Sequence, residues 1–259
     1  MCGGYTPAAR YLARNGNRRA FVKIATTPHT AALLRREIAA YRALGEGPWP
    51  ALLGYDESGE HPALIIEDLS GAVWPPPWTD ETVAAALTSI RQLHGTKANL
   101  PAFEAVHGGV EPGWSMVGAD PAPFLALKLV TPDWLAKALP ALIEAESSCG
   151  TGGTAATHFD LRSDNMCFVS GRMILVDWAE ACLSNPDLDL GFWLPSLAAE
   201  GGPPPEIILP RSPEIAAWVS GYFAARAGLE DIPDAPFVRW VQREQLSAAL
   251  PWARRALRL

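Results

Sequence analysis

The sequence is short of cysteine, and its four cysteines, Cys2, Cys149, Cys167 and Cys182, form no Cys-x-x-Cys pair. This excludes a disulfide scaffold or a zinc ribbon and reads as free thiols in a reducing compartment. Charge is also sparse, at 19% of residues, and the net charge is −7. The basic face that nucleic-acid binding requires is therefore lacking. No apolar run approaches the ~20 residues of a membrane span. The opening stretch "MCGGYTPAARYLARNGN" carries no signal-peptide core. Neither a nucleic acid nor a membrane is expected as a partner, and the expected compartment is the cytoplasm. There is no internal repeat and no Walker A sequence. The segment "CGTGGTA" at 149–155 mimics a dinucleotide fingerprint, but no βαβ unit surrounds it and it reads as a connector.

What is present is a chain of 259 residues, 49% of them apolar, enough to bury the core of one large domain or two lobes. Two proline clusters, "WPPPWT" at 74–79 and "GGPPPE" at 201–206, punctuate it. Before the first cluster the pattern is strand-rich. "TPAARYLA" and "RRAFVKIA" flank "RNGN", a hairpin signal built on Asn15-Gly16. Residues 28–44 read as a helix with Thr27 at the N-cap, Pro28 in the first position and Gly45 as terminator. "ALLGYD" and "PALIIED" read as two further strands. After the cluster helices dominate, over 80–94, over 121–147 with interruptions at Pro132 and Pro140, from Ser212 to Gly228, and from 235 with a break at Pro251. Within this part, "NMCFV" and "RMILVDW" form a strand pair around Ser170-Gly171.

The segment "THFDLRSDNMCF", residues 157–168, concentrates polar chemistry ahead of an apolar strand. His158, Asp160 and Asn165 fit the spacing H-x-D-x-x-x-x-N, and Asp177 follows at the end of "MILVD". Asp160 is a candidate general base for an attacking hydroxyl. Asn165 and Asp177 offer the hard oxygen ligands that Mg²⁺ prefers, and the hairpin between them brings the two together. His158 reads as a brace for the loop and Asp164 as a solvated or turn-capping carboxylate. Upstream, Lys23 lies on a half-buried strand. Glu37 borders the stripe Leu34, Ile38 and Tyr41 of the following helix, where a carboxylate is costly unless paired. The two are natural partners, Glu37 orienting Lys23 and Lys23 holding nucleotide phosphates.

In order, "FVKIA", "RREIAAYRAL", "IIEDL", "HFDLRSDN", "ILVDW" and "NPDLDLGF" resemble the motifs of the aminoglycoside phosphotransferase and choline kinase type of small-molecule kinases. The resemblance spans nearly the whole chain. It implies an α+β, two-lobed protein-kinase-like fold. A small antiparallel-sheet N-lobe for the nucleotide would occupy residues 1–70, and a larger, mostly helical C-lobe residues 71–259, carrying the catalytic loop, the metal site and the acceptor-binding helices. It also implies a hinge at Glu67, Asp68 and Leu69 whose backbone bonds the adenine, and a supporting role for Asp189. The family has a strand ahead of its glycine-containing nucleotide loop. Here "CGGYTP" begins at residue 2, so that strand is expected to be missing, with Gly4, Tyr5 and Thr6 left to cover the phosphates.

The expected activity is transfer of the γ-phosphate of ATP or GTP, with Mg²⁺, to a hydroxyl of a small molecule. An aminoglycoside-like antibiotic is the first acceptor class and a metabolic alcohol such as choline, homoserine or a sugar the second. A nucleotide-binding pseudokinase is the rival from another class. The absence of an Ala-Pro-Glu segment speaks against a protein kinase. Among ten tryptophans, most expected in the core, Trp178 is with Glu180 the best placed to meet an acceptor. A monomer or weak dimer is expected.

Overall fold

The structure is a computed structural model and describes residues 8–108, 110–232, 235 and 237–259. Gly4, Tyr5 and Thr6 lie outside the described residues. The chain divides into two compact units, residues 1–106 with 153–186, and residues 107–152 with 187–259. The boundary expected at residue 70 falls inside the first unit, because the segment carrying Asp160, Asn165 and Asp177 clusters with the N-terminal sheet.

In the first unit, β1 (Ala8–Asn15) and β2 (Arg18–Ala25) form an antiparallel hairpin closed by the pair Asn15 and Arg18. The turn residues are therefore Gly16 and Asn17, one position later than the sequence suggests. Gly16 takes the positive φ, 59°, that tight hairpin turns demand of their first central residue. Then come α1 (Pro28–Leu44), β3 (Leu52–Asp56) and β4 (Ala63–Glu67), giving an antiparallel sheet of order β1-β2-β4-β3. Helix α1 begins and ends where its capping residues dictate. Thr27 and Thr30 form a reciprocal capping box, and Gly45 leaves the helix at φ 68°. Its buried stripe of Leu34, Ile38 and Tyr41 packs over the sheet, where Leu64 is fully buried.

The remainder of this unit follows α2 (Asp80–Gly95). Short strands β5 (Ala155–Thr157), β6 (Met166–Val169), β7 (Arg172–Leu175) and β8 (Cys182–Ser184) form two hairpin-like pairs, β5 with β8 and β6 with β7. The β6–β7 turn has positive φ at both Ser170, 50°, and Gly171, 80°, the pattern of a type I′ turn. Helix α2 packs on β7 and β5, with Ser89 Oγ donating to the Met173 carbonyl at 2.6 Å.

The helix α3 (Phe103–His107) ends where the second unit starts. That unit contains α4 (Gly113–Ala119), α5 (Ala122–Ala126), α6 (Pro132–Ser147), α7 (Pro186–Ala199), α8 (Pro205–Ile208), α9 (Pro213–Ala227) and α10 (Val238–Leu257). Helix α9 is apolar nearly all round, as a core helix must be, and packs against α4, α5, α6 and α10. Glycines set the crossing with α4. A Cβ on Gly113 would strike the Gly221 carbonyl, and one on Gly221 would strike Glu146 Oε1. The buried Glu146 carboxyl accepts the amides of Gly113 and Trp114, at 2.8 and 3.0 Å, capping α4 from a distance. Prolines 140 and 251 lie inside α6 and α10 and do not break them, contrary to the sequence reading. Among the described residues no helix is long and apolar enough to cross a membrane.

Candidate active site

Three segments of the first unit converge on one group of charges. Lys23 stands on β2 directly opposite Leu64, and so on the sheet face that α1 covers. Its Nζ lies 2.7 Å from Glu37 Oε2 and 3.1 Å from Asp177 Oδ1. Glu37, on α1, is buried; Asp177, beyond β7, keeps 30% of its side chain exposed. Burial alone would depress the Lys23 ammonium, but the two carboxylates outweigh it and hold Lys23 well above its usual range. Burial pushes Glu37 up against the opposing pull of Lys23. For Asp177 the balance reverses: Lys23 overrides burial and keeps the carboxyl below the ordinary range.

The loop that carries Asp160 and Asn165 runs from β5 to β6. Its single 3₁₀ turn, Ser163–Asn165, turns Asn165 back toward Asp160. Asn165 Nδ2 donates to the Asp160 carbonyl and to Asp160 Oδ2, both at 2.8 Å. With its amide hydrogens so used, the side-chain oxygen is the atom Asn165 offers to a cation. Its own backbone carbonyl accepts from Val176 N–H at 3.0 Å, so the hairpin brings Asp177 back within one residue of that pair. Burial raises the Asp160 carboxyl to about 7, over the opposing charge of Arg162 and with further upward pressure from Asp177.

His158 is fully buried and works as a brace, as its sequence context suggests. Its Nδ1 accepts from Asp160 N–H at 3.2 Å, which leaves Nε2–H to donate to the Val176 carbonyl at 3.0 Å. The imidazole thereby links the two loops that carry Asp160 and Asp177. Both loops hold a non-glycine residue in the left-handed region, Phe159 at φ 61° and Asp177 at φ 69°. Such conformations cost on the order of 1–3 kcal/mol each and persist where surrounding contacts enforce them.

Several expectations change. Trp178 is not available to an acceptor. It is fully buried, edge-on to Trp49 at 5.3 Å and Tyr41 at 6.4 Å, and packed on His158 at 4.5 Å. Glu180 instead pairs with Arg36 of α1 at 2.7 Å. Asp177 stands two residues past the end of β7, in the loop, so that its positive φ can turn the carboxylate toward Lys23. Glu67 closes β4; Asp68 and Leu69 follow it. Asp68 binds Arg19 at 2.7 Å and folds a local turn with Ser70, while the Leu69 carbonyl accepts from Ala72 N–H. Asp189 is buried in the first turn of α7, in the second unit. Arg162 joins the site without standing out in the sequence. Asp164 grips its guanidinium through two bonds, at 2.9 and 2.8 Å, and aims it at Asp160 Oδ1, 3.5 Å away. Asp164 is thus a clamp on a cation beside the candidate base, and the only sequence signal was that all three fall within five residues.

A lysine held by a helix glutamate faces a second aspartate beyond a hairpin, and a loop Asp–Asn pair lies on the neighbouring segment; this is a residue set that phosphoryl transfer can use. Residues 3–239 match the model of the phosphotransferase enzyme family APH, and the chain belongs to that family. No curated protein matches the chain. Among solved structures, a thermostable mutant of the aminoglycoside phosphotransferase APH(4)-Ia, in complex with ADP and hygromycin B, is similar at 15% identity. The alignment covers 100% of this chain and 92% of that one, with a TM-score of 0.58. The choline kinase LicA from Streptococcus pneumoniae is similar at 16% identity over 96% of this chain and 88% of that one, TM-score 0.56. A choline/ethanolamine kinase family protein from Mesorhizobium loti follows at 18% identity, 98% and 92% coverage, and TM-score 0.56. These likenesses show the fold, which is the two-lobed protein-kinase-like one. The chain is a small-molecule phosphotransferase.

Proposed function

We propose that the protein transfers the γ-phosphoryl group of ATP to a hydroxyl of a small molecule. The reading rests above all on Lys23 Nζ, set between Glu37 and Asp177 at 2.7 and 3.1 Å, an arrangement with a clear use where phosphates must be gripped. On this reading the acceptor oxygen attacks the γ-phosphorus, the bond to the ADP oxygen breaks, and the hydroxyl proton passes to Asp160. A carboxyl raised to about 7 suits a base that takes a proton near neutral pH. Asn165 and Asp177 would hold Mg²⁺, which supplies charge neutralisation on the phosphate oxygens. Their oxygen donors fit such an ion, which takes one or two protein carboxylates and completes its shell with phosphate and water. The hinge role falls to the backbone of Glu67, Asp68 and Leu69, and the loop role to Gly4, Tyr5 and Thr6.

ATP is favoured as donor because structural neighbours were solved with ADP and with AMP-PNP. An aminoglycoside-like antibiotic is the first acceptor class, supported by neighbours holding hygromycin B and by the net charge of −7. An antibiotic acceptor would make this a resistance enzyme. Choline or another metabolic alcohol is the second reading, supported by the choline kinase neighbours. The protein acts in the cytoplasm as a monomer or weak dimer. The test is mass spectrometry of aminoglycosides, macrolides, choline and homoserine incubated with the protein and Mg-ATP, then Mg-GTP. One compound gaining a phosphate supports the reading and names the acceptor. Mg²⁺-dependent nucleotide binding with no product from any acceptor favours a pseudokinase.

A further inference from the structure

Arg10 shares the inner face of the sheet with Lys23. In the β1–β2 register the two residues are direct partners, and directly opposed residues project from the same face. Their Cα atoms are set ~4.5–5.5 Å apart by the antiparallel ladder, so two long cationic side chains rise from neighbouring points beside the same carboxylates. Like charges placed directly opposite each other destabilise a strand pair. Glu37 and Asp177 moderate the repulsion: the Arg10 guanidinium acts electrostatically on both, while their contacts at 2.7 and 3.1 Å are made to Lys23. Arg10 Nη1 also donates to the Ala8 carbonyl at 3.3 Å, which draws the guanidinium back along β1.

An arrangement that sets two cations face to face becomes favourable when a polyanion lies between them. Lys23 supplies a point charge held by two carboxylates. An arginine supplies a planar fork that binds phosphate oxygens through two bonds. We propose that Arg10 is a second phosphate-binding residue, which grips the polyphosphate chain of the nucleotide together with Lys23. The proposal rests on the nucleotide reading above and adds a binding residue to it.

The test is calorimetric titration of the full chain with Mg-ATP and, separately, with adenosine. Arg10→Gln, Arg10→Lys and Lys23→Met are compared with the native protein, and circular dichroism confirms that each folds. Arg10→Gln should weaken Mg-ATP binding by about tenfold or more, the scale of a lost charged hydrogen bond. Its adenosine affinity should stay unchanged, and Arg10→Lys should recover part of the Mg-ATP affinity. If Arg10→Gln binds Mg-ATP like the native protein while Lys23→Met does not, the Arg10 role is wrong and the nucleotide site stands. If Arg10→Gln loses Mg-ATP and adenosine affinity alike, Arg10 shapes the sheet and does not grip phosphate. A native protein that binds no Mg-ATP overturns both readings.

Discussion

Replacing Lys23 by Met should expose the buried carboxylate that it neutralises, and the cost should depend on pH. In the native protein Lys23 Nζ contacts Glu37 and Asp177 together, and Glu37 has almost no access to water. Without the ammonium, the pull that opposes burial is lost and the Glu37 pKa rises further above its ordinary value. A raised carboxyl pKa means that the folded state holds a proton the unfolded state has released. Stability from that proton is present at low pH and is lost as pH rises through the folded pKa. At pH 6, Glu37 in Lys23→Met is protonated, and the loss is that of the missing bond, roughly 1–2 kcal/mol. At pH 8 the native Glu37 is ionised against Lys23, whereas Glu37 of the variant must keep its proton or stand as an unpaired buried charge, so the loss grows by about 1.4 kcal/mol over the pH unit above the native value of about 7. The slope between is bounded by ~1.4 kcal/mol per pH unit for one proton. Urea unfolding of both proteins at the two pH values measures the difference. An equal loss at pH 6 and pH 8 would mean that Glu37 does not depend on Lys23 for its charge.

The second unit carries its own tests. Burial raises the Glu146 carboxyl to about 7, against the pull of the Trp114 and Gly113 amides, so it too destabilises the fold as pH climbs from about 4.5 to 7. Glu146→Gln removes that titration; relative to the native protein its unfolding free energy in urea should be more favourable at pH 8 than at pH 5, by up to about 3 kcal/mol. Gly221→Ala forces a methyl group against Glu146 Oε1 and to 2.7 Å from the Trp114 ring, and thermal unfolding should show a loss of about 1–3 kcal/mol. Thr27→Ala removes one arm of the α1 capping box and should cost ~1 kcal/mol by the same measurement.

The elements that could be read from the sequence were those whose ends are fixed locally. Thr27, Pro28 and Gly45 set α1 without help from the rest of the chain, and the β6–β7 hairpin follows from Ser170-Gly171 between two apolar runs. The Lys23–Glu37 pairing was legible because a carboxylate on an apolar helix stripe needs a cation and the preceding strand supplies one. What failed depended on distant contacts. Pro251 was read as a break, yet α10 continues through it, as burial of Leu250, Trp252 and Ala253 offsets one missing helix bond. The pairing of β5 with β8 joins three-residue strands 25 residues apart, too short to show a pattern. Its position just after Asp177 makes Trp178, with Glu180, the best placed of the tryptophans to meet an acceptor, yet it is fully buried. Its burial depends on Trp49, Tyr41 and His158, which no spacing within the chain reveals.

In the proposed reaction Asp160 takes the proton of the acceptor hydroxyl. This step is tested most directly by the turnover of Asp160→Asn beside the native protein, on the acceptor that the mass-spectrometric panel identifies, at saturating Mg-ATP. In Asp160→Asn, kcat should fall by roughly 10²–10⁴, with nucleotide affinity and unfolding temperature little changed. Native turnover in the variant would contradict the assignment of Asp160 as the base.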